Sequence, residues 1–403
     1  MYCIQTKKMR DMNDPIINRD IISFILPFNF LLLFISLITI NIGPISISSI
    51  SITTNLFIVA ILFTIKTIRS LSITRFQKRV LQLYILMFIT QLIGLFNNLN
   101  TRSLISMIQV LLIYVFICYM SNIDYSKHNI SVFNVCYTIL SISAFVENIF
   151  FKGLIWNRYF ESGNTIGGIF VFISCINIFF VLINKSPRRM LIFSGILILP
   201  LINTDSRTAL GGAVIIAMLY ILLTLLHVRK SSGILLFICT ILLVISIVYI
   251  YPRLTMWDGY AELNSLSLKY FGKHIVNPRE MIWMTTIDVV GDDWLLGLGT
   301  GLLNRDIMNY KGSSHNQYVQ LYLQNGLIGI LLLFSLFYAL WKPLTKYLKD
   351  KAIRFCIACF VGVIIFNCFE STLIQNKLVS GIVQWQLICM GVSRSLYLDL
   401  KRL

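Results

Sequence analysis

The sequence predicts an all-α fold: a polytopic membrane protein with about 12 transmembrane helices and one large loop on the outer side of the membrane. Of its 403 residues, 57% are hydrophobic and only 13% are charged, whereas soluble domains carry roughly 25% charged residues. Mean hydropathy is +0.79. Apolar runs of about 20 residues recur, which is the length of a membrane-crossing helix. Lipid offers no hydrogen-bond partners, so each such run must satisfy its own backbone as a helix.

The spans follow one another in twelve apolar runs. Their approximate limits are 21–42, 46–66, 80–98, 103–120, 131–150, 166–184, 190–204, 209–227, 234–251, 318–341, 354–373 and 378–396. These limits divide the chain into an N-terminal transmembrane bundle at 1–251, the outer loop at 252–316 and a C-terminal transmembrane bundle at 317–403. Within the loop, "SLSLKYFGKHI" and "REMIWMTTIDVV" predict short helices. The second places Met281, Met284 and Ile287 on one face.

The positive charge is explained by membrane orientation. The chain has 34 Lys and Arg against 17 Asp and Glu, a net charge of +17. With both termini cytoplasmic, every short inner loop carries Lys or Arg, as the positive-inside rule requires. The net charge therefore needs no polyanionic partner, and we expect no binding of nucleic acid.

Polar residues of the predicted outer face collect at four places. They are Arg158 in "WNRYFESGNTIGG", Arg207 in "NTDSRTALGG", Arg279 in "NPREMIW", and His315 with Asn316 in "SSHNQY" after the "GLGTGLLN" turn. Arginine presents a planar donor fork that fits phosphate oxygens, and a neutral histidine can accept a proton from a hydroxyl. The residues alone predict an outward-facing site for an anionic lipid, with one base.

Simpler interpretations of the same residues stay open. Arg158 is equally consistent with a solvated loop charge, and Asp205 is close enough in sequence to neutralise Arg207. Arg279 and His315 are also explained as ordinary residues of a loop helix and of the membrane interface. No acidic metal-binding motif lies nearby, so we expect no metal and no cofactor. The "GLGTG" run predicts a turn packed against helix ends, and the glycines 326 and 329 suit close packing.

Several of these motifs resemble the O-antigen polymerase and O-antigen ligase superfamily. "SRTALGG" at 206–212 is similar to a helix start of that superfamily. "GLGTG" followed by "SSHNQYVQLYLQNGLIGILLLF" resembles its second signature, and "PREMIWMTTIDVVGDDWLLGLG" resembles the arginine-bearing helix before it. "RYFESGNTIGG" is similar to an earlier segment. The motifs span about 158–340.

The resemblance implies a metal-independent glycosyltransferase in the bacterial inner membrane. It would act at the periplasmic face on glycans linked to undecaprenyl diphosphate. Arg207 and Arg279 would bind the diphosphate, and His315 would deprotonate the acceptor hydroxyl with inversion at the anomeric carbon. The remaining site residues are Asn316, which would orient the histidine or its loop, Arg158 on the phosphate or glycan path, and Glu370 as partner of one arginine or as a plain helix-end acid.

Three functions follow in order of preference. The first is an O-antigen polymerase, and the second is an O-antigen ligase that attaches the polymer to lipid A–core. The third is a transporter or flippase of lipid-linked sugars, which is less favoured because the ionisable residues lie at span ends rather than at mid-span. A non-catalytic scaffold is the remaining alternative. Besides the lipid-linked glycan and the bilayer, the resemblance implies a chain-length regulator as a partner.

Overall fold

Helices make up nearly all of the structure. The computed structural model describes residues 26–35, 41–42, 45–70, 74–150, 163–202, 206–226, 230–272, 274–276, 279–307, 314–374 and 378–402. A two-residue strand pair, β1 (Asn41–Ile42) with β2 (Ile45–Ser46), is the β-structure of these ranges. The predicted all-α class is confirmed.

The helices of the first two thirds of the chain are α1 (Leu26–Ile35), α2 (Ile47–Ser70), α3 (Arg75–Asn97), α4 (Thr101–Met120), α5 (Ser131–Phe150), α6 (Gly163–Leu182), α7 (Met190–Ile198), α8 (Arg207–Leu225) and α9 (Lys230–Ile250). The outer segment carries α10 (Tyr260–Phe271), α11 (Arg279–Val290) and α12 (Asn304–Ile307). The last helices are α13 (Gln317–Leu344), α14 (Lys351–Phe366) and α15 (Leu378–Arg402). Short 3₁₀ turns at Leu199–Ile202, Tyr251–Met256, Gly291–Asp293 and Thr345–Tyr347 extend α7, α9, α11 and α13.

Six helical segments of the described ranges are long and apolar enough to cross a membrane. They are Arg75–Asn97, Thr101–Met120, Ser131–Phe150, Arg207–Leu225, Ser231–Met256 and Gln317–Tyr347. Shorter apolar helices lie at Leu26–Ile35, Ile50–Leu62, Ile166–Leu182 and Met190–Leu201. The chain is therefore a helical membrane protein, while the count of twelve spans stays a prediction.

Packing of α8 on α14 shows which helix ends lie together. Gly212 faces the ring of Phe366, and the rings of Tyr220 and Phe355 meet edge to face at 5.4 Å. The two helices are thus antiparallel, so the start of α8 lies at the end of the bundle where α14 finishes. We call this the site end.

Basic residues gather at the opposite end of the bundle. Arg79, near the start of α3, and Lys342, near the end of α13, line one groove. Arg394 of α15 pairs with Asp350 just before α14, with 2.8 Å between Nη2 and Oδ2. We call this the basic end.

Helix α13 is interrupted at Gly326, whose backbone has φ +59° and ψ −157°. The backbone at Trp294 and Leu295 supplies hydrogen-bond acceptors at this interruption. The N–H groups of Leu327 and Ile328 donate to the carbonyl oxygens of Trp294 (2.9 Å) and Leu295 (3.2 Å). A Cβ at position 326 would overlap the Leu295 carbonyl group, so glycine is required there. A broken helix at membrane depth is tolerated when protein covers it in this way.

The "GLGTG" turn packs against two helix ends, as predicted. Gly297, Gly299 and Gly301 all have positive φ, which glycine adopts at no steric cost. The Thr300 hydroxyl donates to the Gln91 carbonyl oxygen of α3 (2.8 Å). The Leu298 N–H donates to the Leu323 carbonyl oxygen of α13 (2.8 Å). The turn therefore joins α3 to the site end of α13.

Candidate active site

A buried carboxylate joins two of the predicted site residues. Glu370 Oε2 lies 3.3 Å from Nδ1 of His315, and Glu370 Oε1 lies 4.0 Å from Nη2 of Arg279. The carboxylate side chain is only 2% exposed, whereas those of Arg279 and His315 are 20% and 33% exposed. The acid is thus sealed beneath a guanidinium and an imidazole that both reach the surface. We call these three residues the Glu370 cluster.

The turn after α14 places Glu370. Helix α14 ends at Phe366, well before the predicted limit of 373. The Asn367 side chain then forms hydrogen bonds that hold the following turn. Its Nδ2 donates to Oε1 of Gln384 (2.7 Å), and its Oδ1 accepts from the Thr372 hydroxyl (3.0 Å). All three side chains are buried. A satisfied buried polar network of this kind holds a turn in one conformation.

The start of α13 is bonded to the same turn. The Gln317 N–H donates to the Asn367 carbonyl oxygen (2.9 Å), and Gln317 Oε1 accepts from the Leu373 N–H (3.1 Å). The Tyr318 hydroxyl donates to the Ile364 carbonyl oxygen of α14 (2.8 Å). These bonds set the distance between the residues just before α13 and Glu370.

His315 is held in an unusual backbone conformation. Its φ is +46°, a left-handed value that is uncommon for residues other than glycine. The following residue, Asn316, is fully buried and caps α13 by accepting from the N–H groups of Tyr318 (2.9 Å) and Val319 (3.1 Å). Asn316 is thus the N-cap of α13, and its predicted role in orienting the histidine or its loop stays a prediction.

Helix α11 holds the other side of the histidine loop. The indole N–H of Trp283 donates to the Ser314 carbonyl oxygen (2.7 Å), and the indole is fully buried. Its ring centroid lies 5.0 Å from that of Tyr251 and 6.4 Å from that of Phe369. Trp283 thereby fixes α11 against the loop before His315 and against the turn that carries Glu370.

Arg279 begins α11 and points to that turn. Its Nη1 donates to the Phe369 carbonyl oxygen (3.1 Å), which orients the guanidinium beside the Glu370 carboxylate. A guanidinium has five N–H donors, so these two contacts leave donors for a ligand. The two contacts hold the planar guanidinium in one orientation.

Arg207 lies at the same end of the bundle but has a different partner. Ser206 caps α8 by accepting from the Ala209 N–H (3.3 Å), and Arg207 follows as the first residue of the helix. Its Nη1 donates to the His274 carbonyl oxygen (3.0 Å), and its side chain is exposed. Arg207 thus joins α8 to the segment after α10, and its observed hydrogen bond goes to that segment rather than to Glu370.

The comparison with known families fits this geometry. Residues 191–334 match the family model for O-antigen ligase. This match supports the resemblance of the chain to the O-antigen polymerase and ligase superfamily. No curated protein matches the chain. The matched segment runs from α7 into α13 and includes Arg207, Arg279 and His315, whereas Glu370 lies beyond it.

The matched family has a general function. Its members are membrane enzymes of the glycosyltransferase and ligase type. O-antigen ligases take part in lipopolysaccharide synthesis and act on lipid-linked glycans. The apolar helices and the family match together point to a bacterial membrane protein.

Two points of the predicted site remain, namely Arg158 and the contacts of Glu370. Arg158 lies outside the described residues. The contact between His315 and Glu370 was not predicted, since Glu370 was expected to be either the partner of one arginine or a plain helix-end acid. The available signal was that Glu370 follows directly on a long apolar run. Within the described ranges, no three His, Cys, Asp or Glu side chains lie close enough to hold a metal ion.

Proposed function

We propose that this chain transfers a glycan from undecaprenyl diphosphate to a sugar hydroxyl, at the periplasmic face of the inner membrane. The observation that carries the proposal is the Glu370 cluster, in which a partly exposed imidazole and a partly exposed guanidinium share one buried carboxylate at the site end. The family match supports the general enzyme class.

The chemistry assigns one role to each side chain. Arg207 and Arg279 bind the diphosphate through charge-assisted hydrogen bonds. A hydrogen bond donated from His315 Nδ1 to Glu370 keeps the proton on that nitrogen and the lone pair on Nε2. Nε2 then accepts the proton of the acceptor hydroxyl.

The proposed transfer forms one bond and breaks one bond, and it needs no further reagent. The acceptor oxygen attacks the anomeric carbon while the bond from that carbon to the diphosphate oxygen breaks, which inverts the configuration. The lipid diphosphate leaves with the bonding electron pair, and the two guanidinium groups stabilise its developing charge. The proton of the acceptor hydroxyl is then on Nε2 of His315, and the Glu370 carboxylate stabilises the resulting imidazolium.

The periplasmic assignment rests on the charge distribution. Arg79, Lys342 and Lys346 lie at the basic end, and the positive-inside rule places that end in the cytoplasm. The site end then faces the periplasm. This orientation agrees with twelve spans and two cytoplasmic termini.

We place polymerase before ligase. A polymerase joins one lipid-linked repeat unit to another, whereas a ligase transfers the polymer to lipid A–core. The lipopolysaccharide of a deletion strain separates the two. A single repeat unit on the core indicates a polymerase, and bare core with polymer retained on the carrier lipid indicates a ligase. A chain-length regulator as partner stays a prediction.

The break in α13 is the one feature that favours the transporter alternative, because transporters bind substrates at interrupted helices. In this chain the carbonyl oxygens of Trp294 and Leu295 occupy the break. A flippase would move lipid-linked sugar across vesicle membranes without forming a glycosidic bond. Transport by the purified chain with no change in the glycan would therefore favour that alternative over the enzyme.

The test of the proposal uses alanine variants in a deletion strain. We expect Arg207→Ala, Arg279→Ala and His315→Ala each to abolish glycan elongation or attachment while the protein still accumulates in the membrane. Arg305→Ala is the matched control, since Arg305 is an exposed arginine of α12 outside the cluster. Normal glycan ladders in all three site variants would reject the enzyme.

A further inference from the structure

A large groove opens on the side of the bundle at the basic end. It has a volume of about 1060 Å³ and lies between α3, α9 and α13. Pockets that take small ligands enclose about 300–1,000 Å³, so the groove is large enough for a lipid-sized molecule. It belongs to neither the Glu370 cluster nor the Arg207 contact.

The walls of the groove are apolar along most of its length. Helix α13 contributes one face, on which Leu331, Phe334 and Tyr338 recur at helical spacing. Leu86 of α3 and Leu242 of α9 stand on the two sides, 49% and 56% exposed. Such side chains match the acyl chains of a lipid.

Two cations stand at one end of this apolar surface. Arg79 of α3 and Lys342 of α13 both line the groove and both are exposed. Lys346 and Arg394, at the same end of the bundle, have the carboxylate partners Asp399 and Asp350. Among the salt bridges of the described residues, none involves Arg79 or Lys342.

The depth of the cations places them at the surface opposite the active site. Lys342 is separated from Gln317 by most of α13, which at 1.5 Å per residue is roughly 37 Å. The hydrocarbon core of a bilayer is about 30 Å thick. A headgroup bound at Arg79 and Lys342 therefore belongs to the other leaflet from the lipid diphosphate of the proposed reaction.

We propose that this groove binds an anionic glycerophospholipid of that leaflet, with its phosphate between Arg79 and Lys342 and its acyl chains against α3, α9 and α13. A single cation at a helix end extends to the interface without binding anything. Two cations from different helices at the head of one apolar groove are complementary to a lipid with a negative head and apolar tails. Basic pockets between transmembrane helices bind anionic headgroups in this manner.

The test measures lipid binding to the full chain in neutral detergent by native mass spectrometry. The probes are palmitoyl-oleoyl phosphatidylglycerol and phosphatidylcholine with the same chains. We expect phosphatidylglycerol to bind more tightly, and the double variant Arg79→Gln/Lys342→Gln to lose about 30-fold of that affinity, from about 1 kcal/mol for each cation.

Two further variants separate the groove from general surface charge. Arg75→Gln/Lys78→Gln removes two exposed cations of the same helix that do not line the groove, and its phosphatidylglycerol affinity should stay within about twofold of wild type. Ser335→Trp narrows the groove with an indole without changing its charge, and should weaken binding of phosphatidylglycerol. The melting temperature of each variant without lipid shows that it is folded.

Three results would overturn the proposal. They are equal affinity for the two phospholipids, an equal loss in the Arg75/Lys78 control, and unchanged binding in Ser335→Trp. Tighter binding of undecaprenyl phosphate, lost in the Arg79/Lys342 variant, would make the carrier lipid the occupant and would also reject a phospholipid site. None of these measurements depends on glycosyl transfer, so the outcome is independent of the proposed function.

Discussion

At the scale of single residues, the candidate site depends on a buried acid with two basic neighbours. Placing Glu370 at 2% exposure removes its carboxylate from water, which is costly for an isolated charge. An opposite charge at 4.0 Å returns on the order of 4 kcal/mol at the effective dielectric constant of about 20 that suits protein sites. Arg279 therefore offsets part of the cost of burying the Glu370 carboxylate, in addition to its proposed role in binding the diphosphate.

A second acid near the site gives a prediction about pH. Burial raises the pKa of Glu280 above its ordinary value of 4.5, and its Oε2 atom is shielded from solvent without a hydrogen-bond partner in the described residues. A pKa that is higher in the folded state means that stability is fully present below the unfolded pKa and is lost as the pH rises through the folded pKa.

We therefore expect Glu280→Gln to raise the melting temperature at neutral pH and to match wild type as the pH falls toward 4.5, the ordinary pKa. The measurement is a series of melting curves of the purified chain in detergent. Asp288→Asn is the control, because Asp288 is an exposed acid of the same helix and should show no such dependence. A constant difference at all pH values would show that the charge of Glu280 has no part in it.

The sequence located the residues of the site better than their contacts. Arg207 stood out because an ionisable group near the bilayer is costly, His315 because it lies where the chain enters an apolar run, and Arg279 because it is an arginine of the predicted outer loop. Glu370 was predicted as a partner of one arginine, but its contact with His315 was not predicted, since the turn at 367–374 depends on Gln317 and Gln384, which are distant in the chain. Pairings across such distances have no local sequence signal.

At the scale of elements, α11 acts as a brace for the histidine loop. Its position in the chain was predicted and is confirmed at Arg279–Val290. The face with Met281, Met284 and Ile287 is not the one that packs, because Met281 is 62% exposed while Ile282 and Trp283 are buried. The orientation of the helix is set by the Trp283 indole, whose N–H donates to the Ser314 carbonyl oxygen.

We expect Trp283→Phe to reduce activity more than it reduces the amount of folded protein. Phenylalanine keeps the aromatic contacts with Tyr251 and Phe369 but leaves the buried Ser314 carbonyl oxygen without its donor, at about 1–3 kcal/mol. The readouts are the melting temperature and the rate of glycan transfer. Trp294→Phe, at a 50% exposed position, is the control, and an equal loss of activity in both variants would contradict the role of the indole.

The break in α13 requires glycine at position 326. We expect Gly326→Ala to destabilise the chain by about 1–3 kcal/mol from backbone strain, plus the repulsion between the new Cβ and the Leu295 carbonyl group. Gly195→Ala is the matched control, since a Cβ there meets nothing within 4 Å and alanine favours the helix. The measurement is the melting temperature of each variant. Equal melting temperatures for the two variants would show that position 326 does not require glycine.

At the scale of the whole molecule, the separation of charges is the basis of the proposed membrane orientation. The basic end and the Glu370 cluster lie at opposite ends of the bundle, which hydropathy and loop charge predicted without any knowledge of packing. The number of spans is harder to predict, because helices such as α14 end early in buried turns that apolar composition does not mark.

The orientation is tested by labelling introduced cysteines with a membrane-impermeant maleimide in cells whose outer membrane is permeable. We expect Arg305→Cys, in exposed α12, to be labelled in intact cells. Lys349→Cys, exposed at the basic end, should be labelled only after lysis. The unaltered chain gives the background from native cysteines, and the reverse pattern would place the cluster on the cytoplasmic side.

The cluster itself is a product of the whole fold, since Arg279, His315 and Glu370 come from α11, from the loop before α13 and from the turn after α14. The most direct test of their joint action is a double-mutant cycle on the rate of glycan transfer in membranes. We expect His315→Ala to lower the rate by about 10²–10⁴-fold, the usual contribution of a general base. Glu370→Gln should lower it less, and the double variant should be no slower than His315→Ala alone, because residues that act as one unit are not additive. If the two losses multiplied, or if His315→Ala kept its full rate, the imidazole and the carboxylate would not form one catalytic unit.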